Sequence, residues 1–387
     1  MNRPLTVVLA SALAVSACGT TVGGEATVAP ASSSRASTTP NVPAGLDPGQ
    51  YPTTTRDVPS PSGDNAWIIE GNRMAEALVQ VDEVDRRLTV GGAGLRSYPV
   101  LSGDQLSTRV PDTTARIFTR NRMRVGMTTT RGDDFDRPTV AVRIGLYRFD
   151  SPEIAAAVLE AITSSTQALP KVAIDGHAEV SAAEFTPGTV DGYRAEGPFV
   201  INVSGTAPTN AEAARFVAKA FDLQVPKTTA FSPTPVTSIR TLPGDKDGVL
   251  SRTLLQESTE LTSLSNAYFG LEALLHRIRY LSDAAPYRKA GVDLVGEGAA
   301  IVYRTRDAAA ATTMVAEVTA DSRARAGNRP VESPAGLPQA QCTFRTEATS
   351  YICIVSAGRW VTTAGGSSLQ LAREAVSAEY AILTKNP

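Results

Sequence analysis

Three cysteines, Cys18, Cys342 and Cys353, and two histidines, His177 and His276, carry most of the reactive chemistry open to this 387-residue chain. Three thiolates cannot build a Cys₄ zinc site or a multi-bridge scaffold, and two imidazoles exclude centres that need several. The sequence contains no His-Glu-x-x-His, Gly-x-Ser-x-Gly, Ser-x-x-Lys or Cys-x-x-Cys, the spacings that place a base, a nucleophile or a metal. His177, in Ile174-Asp-Gly-His, reads as a turn residue. His276, next to Arg277 and off the Leu271/Leu274/Ile278 stripe, reads as partly solvated. Neither has a visible nucleophile to serve, so no catalytic residue is assigned.

Carboxylate clusters are equally unspecific. Asp133-Asp134-Phe-Asp136 and Asp245-Lys-Asp247-Gly248 begin like calcium loops, but counting from Asp245 the bidentate twelfth position is Gln256. Both read as turns with solvated acids, and neither a metal nor a cofactor is expected. Gly91-Gly92-Ala93-Gly94 lacks the Lys-Ser/Thr and the preceding strand of a phosphate loop. With 37 basic against 39 acidic residues and a net charge of −2, no global field favours nucleic acid.

One run of like charge stands out. Arg109, Arg116, Arg120, Arg122, Arg124 and Arg131 fall within 23 residues against a single carboxylate, Asp112. A strand over residues 120–125 would project Arg120, Arg122 and Arg124 from one face. Such a stripe is a candidate anion-binding surface for a headgroup, wall polymer or acidic protein. The alternative is a solvated or internally paired face.

Cys342 and Cys353 flank an apparent hairpin. Pairing equidistant about Glu347 and Ala348 sets the two cysteines opposite each other at a separation a disulfide accepts. Alternation then places Cys342, Phe344, Tyr351, Cys353 and Val355 on one face.

Cys18 has a different context. Arg3 precedes an uncharged apolar run too short to cross a bilayer, which needs about 20 apolar residues. The run ends in Val15-Ser-Ala-Cys18-Gly19, which resembles the bacterial lipobox, with Val15 where Leu is commonest. That resemblance implies a signal peptide over 1–17 and lipidation of Cys18 with acyl chains such as palmitate. Each buried CH₂ contributes about 0.8 kcal/mol, so two or more chains anchor stably. The body is then expected on the extracytoplasmic face of the cell membrane. Residues 18–44, rich in Thr, Ser, Ala and Pro, read as a disordered tether with a root-mean-square reach of about 30 Å.

These residues must be positioned by an α+β body. A short amphipathic helix is expected near residues 67–79, where Ile69, Met74, Ala77 and Leu78 share a face. Val140, Val142, Ile144 and Leu146 alternate as a strand. Ser151, Pro152 and Glu153 then start a helix carrying Ile154, Val158, Leu159 and Ile162. Aligning Tyr147-Arg148 with Tyr303-Arg304 puts N-cap Ser151 on Asp307 and that stripe on Ala310, Met314, Val315 and Val318, which reads as a diverged internal repeat, the alternative being a generic strand-to-helix unit that gives the same register by chance. Each copy is followed by another apolar segment and helix, at 199–203 and after Asn210, and at 360–363 and after Ser368. The fold expected is two related repeats, each a small antiparallel sheet packed by helices on one face. The boundaries are an N-terminal domain over 45–228, a linker over 229–236 and a C-terminal domain over 237–387. Leu264 to Leu281 reads as one long amphipathic helix.

Several blocks resemble a family of actinobacterial surface lipoproteins of unestablished function. They are the lipobox and tether, Leu46-Asp-Pro-Gly-Gln-Tyr-Pro-Thr-Thr-Thr-Arg-Asp57-Val, Arg73-Met-Ala-Glu76, and Ala290-Gly-Val-Asp-Leu-Val-Gly-Glu-Gly before Val302-Tyr-Arg-Thr-Arg-Asp307. The resemblance implies a two-part extracytoplasmic body and no catalytic residues. The function expected is a membrane-anchored binding or scaffold module for an envelope protein, lipid or wall polymer. An envelope hydrolase or transferase with a carboxylate/Arg site, and a lipid carrier, are the alternatives.

Overall fold

The computed structural model describes residues 44–91, 97–255 and 266–385. The signal segment, Cys18, the tether to residue 43, residues 92–94 of the glycine loop and Gln256 lie outside the described residues.

The first half runs α1 (Asn65–Ala75), β1 (Val90–Gly91), α2 (Asp112–Arg120), β2 (Val125–Gly132), β3 (Ala141–Arg148), α3 (Pro152–Ser165), β4 (Ser181–Thr186), β5 (Thr189–Glu196), β6 (Phe199–Thr206) and α4 (Asn210–Ala230). The second runs β7 (Ala267–Phe269), α5 (Leu271–Arg277), α6 (Ala284–Ala290), β8 (Leu294–Glu297), β9 (Ala300–Arg304), α7 (Ala308–Arg323), β10 (Arg329–Val331), β11 (Gln341–Arg345), β12 (Ser350–Ala357), β13 (Trp360–Gly366) and α8 (Leu369–Lys385).

The sheets repeat one topology. The first is ordered β1-β2-β3-β6-β5-β4, the second β7-β8-β9-β13-β12-β11 with β10 added at the edge, and every named pair is antiparallel. The registers agree as well. Tyr147 lies opposite Val200 and Tyr303 opposite Val361, while Gly145 faces Asn202 and Ile301 faces Thr363. The Ser151 hydroxyl accepts from the Ile154 amide, and the Asp307 carboxylate accepts from the Ala310 amide. Each satisfies an amide that the helix itself leaves unpaired.

Helices flank both faces of each sheet rather than one. In the first, Val142, Ile144 and Leu146 share a core with Phe216, Val217 and Phe221 of α4 and with Met74 of α1. Tyr147, Tyr193 and Val200 on the other face pack on Phe118 of α2 and on Val158 and Ile162 of α3. In the second, Ile354 and Val361 join Met314 and Val315 of α7, while Cys342, Cys353 and Val355 lie against Ala372, Ala375 and Val376 of α8.

Three local expectations change. Helix α1 ends at Ala75, short of residue 79, because the side-chain amide of Gln224 captures the next peptides: its oxygen accepts from the Val79 amide and its nitrogen donates to the Ala77 carbonyl. The long helix expected from Leu264 is instead the strand β7, paired to β8, and then the seven-residue α5 after Gly270. Helix α4 runs through Pro226 to Ala230, taking in the first residues of the expected linker.

Candidate functional site

The two halves meet around α5, which residues from the first half hold at both ends. The Glu76 carboxylate accepts from the amides of Gly270 and Ala273, at 2.9 and 3.2 Å. This sets a negative charge against the positive end of the helix. At the other end the fully buried Arg131 of β2 donates to the carbonyls of Leu275, Ile278 and Arg279, and to that of Thr89. Burial pulls the Arg131 guanidinium down to about 10, against a small opposing pull from Asp82.

His276 on α5 is buried, not partly solvated. Its Nδ1 lies 3.1 Å from the Thr129 hydroxyl and its Nε2 lies 3.4 Å from Gln80 Nε2. Desolvation, with Arg131 next, pushes its pKa down to about 3, so it is neutral at physiological pH. The next residue, Arg277, is sandwiched by Phe269 and Tyr98 at 3.7 and 4.7 Å from their ring centroids. It is paired with Glu297 at 2.5 Å and donates to Asn72 Oδ1 at 2.6 Å.

Beside this seam opens a cleft of about 1190 Å³, walled by Tyr98, Thr130 and Phe135 from the first half and by Tyr280, Arg325 and Arg345 from the second. Three of its arginines are matched: Arg277 with Glu297, Arg279 with Glu347, and Arg325 with Asp283. Arg279 also stacks on Phe135, 3.8 Å from its centroid. Arg345 is different. It is half-buried, has no acidic partner among the described residues, and its Nε is buried without an acceptor. Burial and the neighbouring Arg325 and Arg279 lower its pKa from the ordinary arginine value. A second cavity of about 230 Å³ adjoins the first, with Ile301, Ile352, Ile354 and Val318 in its walls. Arg345 and Arg325 line both.

The arginine stripe is not assembled. Arg120 ends α2, Arg122 sits in a turn with φ +54, and β2 starts only at Val125, so residues 120–124 never alternate as a strand. Helix α2 continues this far because its apolar residues Ala115, Ile117 and Phe118 bury on one side. Arg120 and Arg122 are exposed, while Arg124 is bound two-pronged to Asp150 at 2.7 and 2.6 Å. Arg131, from the same run, became the α5 clamp instead.

The cysteine pair lies where the spacing predicted. Cys342 and Cys353 are register partners, 4.1 Å apart at Cα, and form a disulfide. Phe344 and Tyr351 stack beside them with centroids 5.1 Å apart. His177 occupies its turn, its amide bonded to the Ile174 carbonyl and its Nε2 3.1 Å from Asp222. The acids of both calcium-like segments accept from backbone amides: Asp133 from Thr139 and Val140, Asp245 from Leu250 and Ser251. Sequence reasoning missed Arg345; the signal that could have placed it is the alternation from Cys342, which sets residue 345 on the face opposite the bridge. Nothing in the sequence marked that face as a cleft wall, because its other side comes from Phe135 and Tyr98.

No curated protein matches the chain. Among solved structures, the extracellular domain of PknH from Mycobacterium tuberculosis aligns over 40% of this chain and 94% of its own, at 12% identity and a TM-score of 0.30, a likeness too slight to carry any argument. Residues 58–244 match the family model described as domain of unknown function (DUF7373) N-terminal, and residues 249–386 match its C-terminal counterpart. The division between the two falls at the end of the first repeat and before the second, and on those matches the chain belongs to the DUF7373 family.

Proposed function

We propose that this chain is a binding module of the cell envelope, lipid-anchored through Cys18 on the extracytoplasmic face of the membrane, whose two repeats enclose a ligand cleft. The observation that carries the reading is the cleft itself. At about 1190 Å³ it is somewhat larger than a typical small-molecule site, lies between two subdomains and is lined by aromatics and guanidinium groups. The Cys342–Cys353 bridge fits an oxidising exterior. A hydrolase or transferase is less well supported. Of the four acids lining the cleft, Asp283, Glu297 and Glu347 are each paired with an arginine, which leaves Asp321 without a second free acid.

The test is native mass spectrometry of the purified mature chain after exposure to total envelope extract. A bound species that protects the amides of β11 and residues 279–283 from hydrogen exchange is the expected result. An unliganded spectrum with unchanged exchange would overturn the reading.

A further inference from the structure

The matching registers of the two sheets allow the same surface to be compared in both repeats. Where the second repeat has Ile301, Ile354 and Ile352, the first has Gly145, Tyr193 and Asp191. In the first repeat that surface is filled from within. Tyr147 lies across Gly145 and Gly126, so closely that a Cβ at residue 145 would sit 2.5 Å from its hydroxyl. Ile301 denies its counterpart Tyr303 that position. Tyr303 instead stacks on Tyr287, with centroids 5.3 Å apart, and the smaller cavity stays open beneath α7.

The cavity so left has a floor of isoleucines interleaved with threonines, and a charged mouth. Ile301, Ile352, Ile354 and Val318 line it beside Gln341, Thr343 and Thr363, and Arg345 and Arg325 stand where it joins the larger cleft, with Asp283, which pairs with Arg325, and Asp321. Two polar groups there lack hydrogen-bond partners among the described residues: Arg345 Nε, and the Thr319 hydroxyl, which is buried. A half-buried guanidinium without a counter-charge is costly, and a planar anion restores its hydrogen bonds in pairs. An apolar group in the small cavity gains by leaving water.

We propose that the junction of the two cavities binds an amphiphilic organic anion, its phosphate or carboxylate on Arg345 beside Arg325 and its apolar group against Ile301, Ile352 and Ile354. The polar remainder of the ligand extends into the aromatic-walled cleft. This assignment rests on the binding-module reading and gives it a ligand class.

Titration calorimetry with dodecyl phosphate, dodecyl maltoside and inorganic phosphate, each below any micelle concentration, tests it. Dodecyl phosphate is expected to bind the wild-type chain. Arg345→Gln should weaken that binding by roughly tenfold or more, the usual worth of a charge-assisted hydrogen bond. Ile301→Trp, which fills the cavity from a partly exposed position, should abolish it, with circular dichroism confirming that both variants are folded. Dodecyl maltoside binding as tightly, with Arg345→Gln unchanged, would overturn the anion assignment and leave the binding cleft standing. Inorganic phosphate binding as tightly as dodecyl phosphate would overturn the apolar half. Failure of every amphiphile to bind, while an envelope extract still yields a protected cleft, would overturn this ligand class alone. Failure of both would overturn the binding reading with it.

Discussion

Arg131 on β2 reaches across the seam and donates to the Leu275 carbonyl at the end of α5, so a buried cation of the first repeat closes a helix of the second. Arg131→Met keeps much of the volume but leaves the carbonyls of Leu275, Ile278, Arg279 and Thr89 without this donor. At about 1–3 kcal/mol for each buried group left unsatisfied, a loss of about 3 kcal/mol or more is expected in urea unfolding. Hydrogen exchange should speed up at residues 275–280. An unchanged midpoint would mean that water replaces the guanidinium at no cost.

Glu379 on α8 is fully buried, with one carboxylate oxygen accepting from the Leu254 amide and the other without a partner among the described residues. Burial pushes its pKa from 4.5 up to about 8. Between those values the native chain holds a proton that the unfolded chain has released, so this group makes stability fall as pH rises through that window. Glu379→Gln removes the ionisation. The variant should match the wild type near pH 4 and exceed it at pH 8 and above in parallel urea melts. Parallel pH profiles for the two proteins would refute the assignment.

The disulfide closes a short loop, with its cysteines 11 residues apart. On the chain-entropy account such a loop stabilises by about 3 kcal/mol. The Cys342→Ala/Cys353→Ala double variant should unfold at correspondingly lower denaturant. Non-reducing peptide mapping of the native protein should recover the two peptides linked, and free thiols at both positions would contradict the bridge.

Cys18→Ala addresses the anchor. If Cys18 carries acyl chains, the variant should leave the detergent phase or stay unprocessed, and intact mass should show the missing lipid. Unchanged partitioning and unchanged processing would refute lipidation.

The repeat was legible because Tyr147 and Tyr303, and the caps Ser151 and Asp307, sit at matching distances from a strand end, a purely local pattern. The bridge was legible because a hairpin turns spacing into register. What stayed hidden depended on distant partners. The apolar spacing from Leu264 suits a helix, but β8 offers Ala267, Tyr268 and Phe269 a sheet edge, and pairing overrides periodicity there. His276 looked solvated because its own helix shows only Arg277 beside it; Thr129 and Gln80, which bury it, lie far back in the chain. The arginine run misled for the same reason. Arg124 answers Asp150 and Arg131 answers carbonyls near residue 278, neither of which proximity in sequence reveals. The cleft joins Phe135 to Arg279, and no local pattern connects them.

Helix α5 has only seven residues, too few to persist alone in water, and both of its ends are secured by Glu76 and Arg131 from the other repeat. The segment covered by the C-terminal family model therefore carries a helix that it cannot complete by itself. The two halves share one topology, yet the second needs side chains that the first contributes. A C-terminal half exchanged between relatives would keep its sheet and lose the wall beside the cleft, unless the recipient also supplied the carboxylate and the guanidinium that hold α5. The wall beside the cleft belongs to the two halves together.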